Sequence, residues 1–426
     1  MASTSLADII YNILLGFASF LLIPVMALRG KNVWLYLRGF HSEVQSKLKG
    51  RRVLWVQAVS VGEVSAVLPL LKSWREERPG WAIVLTTTTE GGQTAAKQLA
   101  SNLVDVIGYF PLDFSFIVRR SLKQIQPEIF IMAELEIWPN FLRVAQSMGV
   151  WTGIVNGRIS NRSFPKYQRI RPLLSTVWNR VNYVCAQTKT DADRFVALGL
   201  SPERVTVSGN VKFDIAYPQI DPTLIGHFRD SLGWNQGQLI LTAASTHAGE
   251  EAIIIDAFIR LREDYNCRLV LAPRHPDRRE EVTQLLDNVK LPYLLRSQST
   301  TAPDQPVLLM DTFGELALAY AVADAVFVGG SLCPVGGHNI LEAAAQRHTP
   351  IYGPYMQNFK EIGQLFMDEK AGIMVEDGDE LVSAISSLWD DPELGKALGE
   401  KAFELIKMHR GATQKTMSFI PGKVDG

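Results

Sequence analysis

Several segments of this chain join side-chain types that could carry chemistry. The run Trp55-Val56-Gln57-Ala58-Val59-Ser60-Val61-Gly62-Glu63 leads a buried strand into a Ser-Val-Gly turn, and Glu63 opens the helix that follows. A carboxylate at the carboxyl end of a parallel strand can serve as a general base. An acid in a first helical turn also complements the helix dipole, so both readings stand. In Ile131-Met132-Ala133-Glu134-Leu135-Glu136-Ile137-Trp138-Pro139-Asn140 two acids follow another buried strand, and alternation sends Glu134 and Glu136 to one side. They are either a further site carboxylate, oriented by cations, or a solvated strand end.

A further group is basic or glycine-rich. Gly209-Asn210-Val211-Lys212-Phe213-Asp214 and Ala272-Pro273-Arg274-His275-Pro276 each end a strand. Gly329-Gly330-Ser331 leads to Gly336-Gly337-His338-Asn339-Ile340-Leu341-Glu342, and glycines before a helix let backbone N–H groups approach an anion. The spacing is not GxGxxG and no Walker A run occurs, which disfavours dinucleotide and P-loop chemistry. Asp191-Ala192-Asp193 and Asp377-Gly378-Asp379 have the spacing that binds a divalent ion on a sugar nucleotide, but both fall at helix starts, where Asp serves as a cap. His247, His275 and His338 have no metal-ligand spacing, and there is no GxSxG elbow.

The elements that must position these residues follow from alternating apolar and amphipathic stretches. Strands are predicted at 53–59, 82–87, 104–109, 129–133, 151–155, 183–186 and 205–208, with helical patterns such as 64–74 and 191–198 between them. The second half repeats the theme at 239–243, 269–272, 307–310, 325–328, 350–352 and 372–375. Such a pattern predicts mostly parallel sheets covered on both faces. A chain of 426 residues exceeds one core, and 214–222, with Pro218 and Pro222, is the expected linker. The fold class is therefore α/β with two Rossmann-like lobes, each binding ligands at the carboxyl ends of its strands.

A net charge of −1 argues against a whole-protein affinity for nucleic acid. Cys185, Cys267 and Cys333 are odd in number and far apart, which fits a reducing compartment. Residues 9–28 carry no charge and are bounded by Asp8 and Arg29, a length sufficient for a hydrocarbon core of about 30 Å. No Lys or Arg precedes them, whereas Arg29, Lys31, Arg38, Lys47, Lys49, Arg51 and Arg52 follow. The expectation is a single transmembrane anchor with the body in the cytoplasm. A signal peptide lacks its positive n-region here, despite Val25-Met26-Ala27, and a buried core helix is the other competing reading.

Two such lobes are the architecture of the B-type nucleotide-sugar transferases (GT-B), an analogy of fold that carries no function alone. The sequence further resembles the bacterial 3-deoxy-D-manno-octulosonic acid (Kdo) transferases, which build the inner core of lipopolysaccharide on lipid A. The resemblance rests on the segments above, on Asn156-Gly157-Arg158-Ile159-Ser160, on Ser245-Thr246-His247-Ala248-Gly249-Glu250 and on Tyr352-Gly353-Pro354, in family order from the anchor to about residue 360. It implies an inverting, metal-independent glycosyltransferase without a cofactor, with CMP-Kdo as donor and a lipid A precursor (lipid IVA) as acceptor. It places the enzyme at the bacterial inner membrane, with the membrane surface and no nucleic acid among its partners.

By position, Glu63 matches the family's catalytic base, and Glu134 and Lys212 match residues that support the transition state. Pro273 and Arg274, Phe313-Gly314-Glu315, and Asn339, Ile340, Leu341 and Glu342 match the CMP-binding positions. The implied domains are an anchor at 1–30, an acceptor-side domain at 31–213 and a CMP-sugar-binding domain at 214–426. The segment Trp34-Leu35-Tyr36-Leu37-Arg38-Gly39-Phe40 lacks the Arg-rich pattern of the family, and Gly157 stands where Ala is more usual. A nucleotide-sugar epimerase shares the lobes but needs neither acceptor site nor anchor. A silent binding protein would not need Glu63, Glu134 and Lys212 together.

Overall fold

Runs such as Val53–Gln57 and Ile129–Ala133 are apolar at every position, and every residue in both is buried. A strand of that kind is stable only with both faces covered, which is the parallel α/β solution. The computed structural model describes residues 5–28, 42–235, 237–298 and 304–422, and in it the chain divides into two compact units.

The first unit comprises residues 1–215 and 409–426. Its sheet holds β1 (Val53–Gln57), β2 (Ala82–Thr87), β3 (Val106–Tyr109), β4 (Ile129–Ala133), β5 (Trp151–Gly157), β6 (Tyr183–Ala186) and β7 (Val205–Val207), all parallel, in the order β3-β2-β1-β4-β5-β6-β7. The second unit spans 216–408. It repeats the plan with β8 (Leu239–Thr246), β9 (Cys267–Pro273), β10 (Tyr293–Leu295), β11 (Val307–Leu309), β12 (Ala325–Val328), β13 (Pro350–Tyr352) and β14 (Ile373–Met374), ordered β10-β11-β9-β8-β12-β13-β14. The strand order reverses between β1 and β4 in one sheet and between β8 and β12 in the other. In doubly wound sheets the crevice beyond the carboxyl ends at such a reversal is where ligands bind.

On one face of the first sheet Trp55 meets Phe130 and Phe141 edge-on at 5.5 and 5.2 Å, and its Nε1–H reaches Thr86 Oγ1 at 2.9 Å. Such ring pairs add on the order of 1 kcal/mol each beyond their buried area. They hold β1 and β4 firmly side by side. β10 was not foreseen; it has only three residues, all half-buried. The last segment also departs from the expected boundaries. The helix Ala412–Phe419 packs in the first unit, where Met417 and Ile420 enter the core and Asp214 accepts the N–H groups of Gly411 and Thr413 at 2.7 and 2.5 Å.

The transmembrane expectation for residues 9–28 is not met. Among the described residues no helix is long and apolar enough to cross a membrane. The segment is a helix, α1 (Leu6–Leu28), whose first turns are committed to the protein itself. Asp8, 1 % exposed, pairs with Arg180, while Tyr11 and Asn12 bond Asp113 and Asn140. Hydropathy along the chain registers none of those partners. Residues 29–41, with Arg29, Lys31, Arg38 and the segment 34–40, lie outside the described residues.

Candidate active site

Three acids and a lysine converge at the β1/β4 reversal. Ser60 caps α2 (Val61–Glu77), and its hydroxyl accepts the Glu63 N–H. The Glu63 carboxylate returns, taking the Val59 N–H on Oε2 at 2.9 Å and the Ser60 hydroxyl on Oε1 at 3.0 Å. This Ser-x-x-Glu capping box fixes the rotamer of the acid at the strand's carboxyl end. Burial pushes the Glu63 carboxyl up to about 7. The neighbouring Glu134 charge adds to the rise, while the Val59 N–H, Ser60 and Lys212 oppose it.

Glu134 follows β4 directly, its N–H still bonded to Val155 O at 2.9 Å, and then turns the chain with φ 55°. Strand alternation therefore does not orient this pair as expected, because the strand ends at Ala133. Glu136 nevertheless lies close enough to interact with Glu63 and Glu134. Burial, then the Glu63 charge, pushes it up to about 7, while the Trp138 Nε1–H donates to it at 2.8 Å. Lys212 sits on the 3-10 turn Val211–Asp214 with its side chain largely buried, and its Nζ is 3.7 Å from Glu134 Oε1. That turn is pinned by Asn156, whose Oδ1 accepts the Val211 N–H at 3.1 Å from a backbone at φ 54°. A buried cation beside several acids lets one acid ionise while its neighbour keeps a proton. That division suits a base working near neutral pH.

In the second unit Arg274 follows β9, its N–H bonded to Thr246 O at 3.0 Å. His247 and His338 lie with Nε2 atoms 2.8 Å apart and rings stacked, so one Nε2 donates and the other accepts. Burial, followed by the Arg274 charge, pushes His338 down to about 3, so it is neutral at physiological pH. Glu342 is pushed up to about 7 by burial, against the pull of Asn339 and Arg274, and Asn339 Nδ2 donates to Tyr217 Oη at 2.9 Å. Phe313 is 81 % exposed, and Gly314 turns with φ 92°. The Glu315 carboxylate is already engaged by Arg296 at 2.6 Å and Thr312 at 2.8 Å, so it holds that turn in place.

The glycine-rich segment is built differently from expectation. Glu250, fully buried at the start of α3 (Glu250–Asp264), accepts the N–H groups of Gly330, Ser331 and Leu332 at 2.7 to 2.8 Å and that of His247 at 3.0 Å. The anion these amides hold is thus the protein's own. Gly337 N–H is likewise taken by Gly330 O, and the helix that follows, Leu341–Ala345, has five residues, too few for a strong dipole. A β-carbon at Gly329 would meet Ser245 O and Thr246 Cα at 2.7 Å, which is why glycine is needed where β12 leaves the sheet. Glu250→Ala should orphan buried N–H groups and cost about 3 kcal/mol or more. Calorimetry should show a midpoint lowered by about 10 °C, with Glu250→Gln falling between.

Of the aspartate pairs, only Asp377 caps its helix; Thr188 caps the helix that carries Asp191 and Asp193. Asp377 accepts the Asp379 and Glu380 N–H groups, and Asp191 accepts the Ile159 N–H at 2.9 Å. Among the residues proposed from sequence, Glu63, Glu134 and Lys212 come together, as do Arg274, Asn339 and Glu342. Pro273 ends β9 inside the core, and Ile340 and Leu341 are wholly buried, so they shape the backbone and offer no polar side chain. Glu136 belongs to the acid pair expected as either a site carboxylate or a solvated strand end, and the structure places it beside Glu63, whereas no role was expected for Asn156.

A family model for 3-deoxy-D-manno-octulosonic-acid transferase (kdotransferase) matches residues 36–215, the stretch carrying Glu63, Glu134 and Lys212. The chain is 34% identical over 372 residues to a 3-deoxy-D-manno-octulosonic acid transferase of Haemophilus influenzae, covering 86% of each sequence. It belongs to the Kdo transferase family. An enzyme of that description from Bordetella pertussis is 32% identical over 86% of both chains. A UDP-GlcNAc 2-epimerase from Neisseria meningitidis, solved with UDP-GlcNAc, superposes with a TM-score of 0.56 over 86% of this chain and 100% of that one. At 12% identity it shows the two-lobed fold alone. The transferase is thus a glycosyltransferase of Kdo on two parallel-sheet lobes of GT-B type.

Proposed function

We propose that the enzyme takes Kdo from CMP-Kdo and joins it to a hydroxyl of a lipid A precursor with inversion, in lipopolysaccharide biosynthesis, and that it needs no metal. The observation that carries this reading is the convergence of Glu63, Glu134, Glu136 and Lys212 at the β1/β4 reversal. Glu63, held by Val59 and Ser60, takes the proton of the acceptor hydroxyl as the sugar's anomeric carbon is attacked from the face opposite CMP. Lys212 supplies fixed positive charge beside the acids as charge develops. Arg274, Asn339 and Glu342, with the exposed Phe313 ring, are assigned to CMP, Arg274 to its phosphate and Glu342 to ribose hydroxyls.

The enzyme is placed at the inner membrane with its catalytic body in the cytoplasm. The apolar residues exposed along α1 support lipid contact, among them Leu6, Ile13, Leu14, Phe17 and Phe20. The exposed Lys47 and Lys49 would favour acidic headgroups by about 1 kcal/mol each at the surface, whereas Arg51 and Arg52 are held by Asp105 and Glu128 at 2.6 Å.

Purified protein incubated with CMP-Kdo and a lipid A precursor should add the mass of Kdo to the lipid by mass spectrometry. An unchanged lipid mass would overturn the reading. The pH profile follows from the raised acid. With the Glu63 carboxyl near 7, kcat/KM should rise about tenfold per pH unit below that value and level off above it. A profile already flat from pH 5 would remove Glu63 as the base.

A further inference from the structure

The turn that carries Glu134 and Glu136 ends at Trp138, the cap residue of helix Pro139–Ser147, and Trp138 gives no side-chain cap. The cap comes from elsewhere. Asp113, 1 % exposed, accepts the Asn140 and Phe141 N–H groups at 3.1 and 2.7 Å, and its backbone carbonyl accepts the Asn140 amide at 2.6 Å. Two of these partners, Asp113 and Asn140, are also held from α1. Tyr11 Oη donates to Asp113 Oδ2 at 2.8 Å. Asn12 and Asn140 exchange side-chain amide bonds at 3.1 and 2.8 Å. Arg180 holds Asp8 through both carboxylate oxygens at 2.8 and 2.7 Å and reaches Pro139 O at 3.2 Å. Polar groups spread over little more than one turn of α1 thus converge on residues 139–141.

We infer that α1 is a brace for the acidic turn: Asp8, Tyr11 and Asn12 are positioning residues that set the geometry of Glu134 and Glu136 through the first turn of the helix Pro139–Ser147. Its consequence for turnover rests on the function proposed above. The arrangement exceeds what mere attachment of α1 requires. The helix could have been held by apolar packing alone, yet beside the buried Ala7 its Asp8, Tyr11 and Asn12 make polar contacts directed at one helix start. Asn140 is fully buried and Asp8 and Asp113 nearly so, so these bonds form without competition from water and define position sharply. From Asn140 the link to the site is short: Trp138, two residues earlier, donates its indole N–H to Glu136 at 2.8 Å.

The test uses the full chain with tryptophan labelled by nitrogen-15, the Trp138 indole signal being assigned with Trp138→Phe. In Tyr11→Phe and in the Tyr11→Phe/Asn12→Ala double variant the Trp138 indole resonance should move. kcat should fall, about tenfold in the double variant, with KM for CMP-Kdo within twofold of the parent. Ile13→Ser, on an exposed position of the same helix, should leave the resonance in place. Tyr11→Phe keeps the ring and still folds, so the mild variant decides the matter if the double one melts. An unmoved Trp138 signal overturns the brace, even where the melting temperature drops. A moved signal with unchanged kcat keeps the brace and removes the acidic turn from catalysis, so the two failures are told apart.

Discussion

Glu63→Gln should lower kcat by about 10³-fold while leaving CMP binding within twofold of the parent. The amide keeps the size of the acid and one acceptor oxygen for the Val59 N–H, so the cap of α2 survives. What it loses is the ability to take a proton. The same variant carries a second, independent signature in stability. The folded-state pKa of Glu63 is raised from 4.5 to about 7, so the native protein favours the neutral acid. That contribution to stability is fully present below pH 4.5 and is lost as pH rises through about 7. Glutamine never ionises, so the variant should melt about 3 °C above the parent at pH 8 and show no such advantage at pH 4.5. Near-normal turnover in Glu63→Gln would sink the base assignment. An intact fold that gains stability at high pH would confirm that lost turnover is chemical.

Lys212→Met should cost about 10²-fold in kcat, since it removes a buried fixed charge from beside the acids. It should also displace the pH profile. Lys212 is among the groups that hold the Glu63 carboxyl down, so its loss lets burial and the Glu134 charge raise that carboxyl further. The acid limb of kcat/KM should then move above pH 7, and Lys212→Arg should bring it most of the way back. A lower rate with the limb unmoved would mean that Lys212 acts on the substrate without touching the base. Calorimetric titration with CMP separates both cases from loss of the donor site.

Glu63 was legible because everything that places it is local. An all-apolar strand, a Ser-x-x-Glu box and a helix start are written within eleven residues, and local rules govern each. Glu134 was legible as an acid after a strand, but its φ of 55° was not. A non-glycine residue adopts that conformation only when surrounding structure imposes it. Glu250 was harder still. It opens a helix, and three of the four amides it holds lie 80 to 82 residues later. The same distance hid the docking of α1. Asp8 looks like the edge of an apolar run, and Tyr11 and Asn12 like minor blemishes in it, until Arg180, Asp113 and Asn140 arrive to meet them. The two-lobed plan needed no such partners, because fully apolar strands alternating with helices admit few other arrangements.

The return of residues 412–420 to the first unit bears on how the protein is made. Synthesis proceeds from the amino end, and domains ordinarily fold in the order in which they emerge. Here Met417 and Ile420 belong to the core of the first sheet, and Asp214 waits for the amides of Gly411 and Thr413. The whole second unit leaves the ribosome before those groups do. The half of the enzyme that carries Glu63 is therefore begun before the second unit and completed after it. A nascent chain acquires its catalytic acid long before that acid's own domain is sealed.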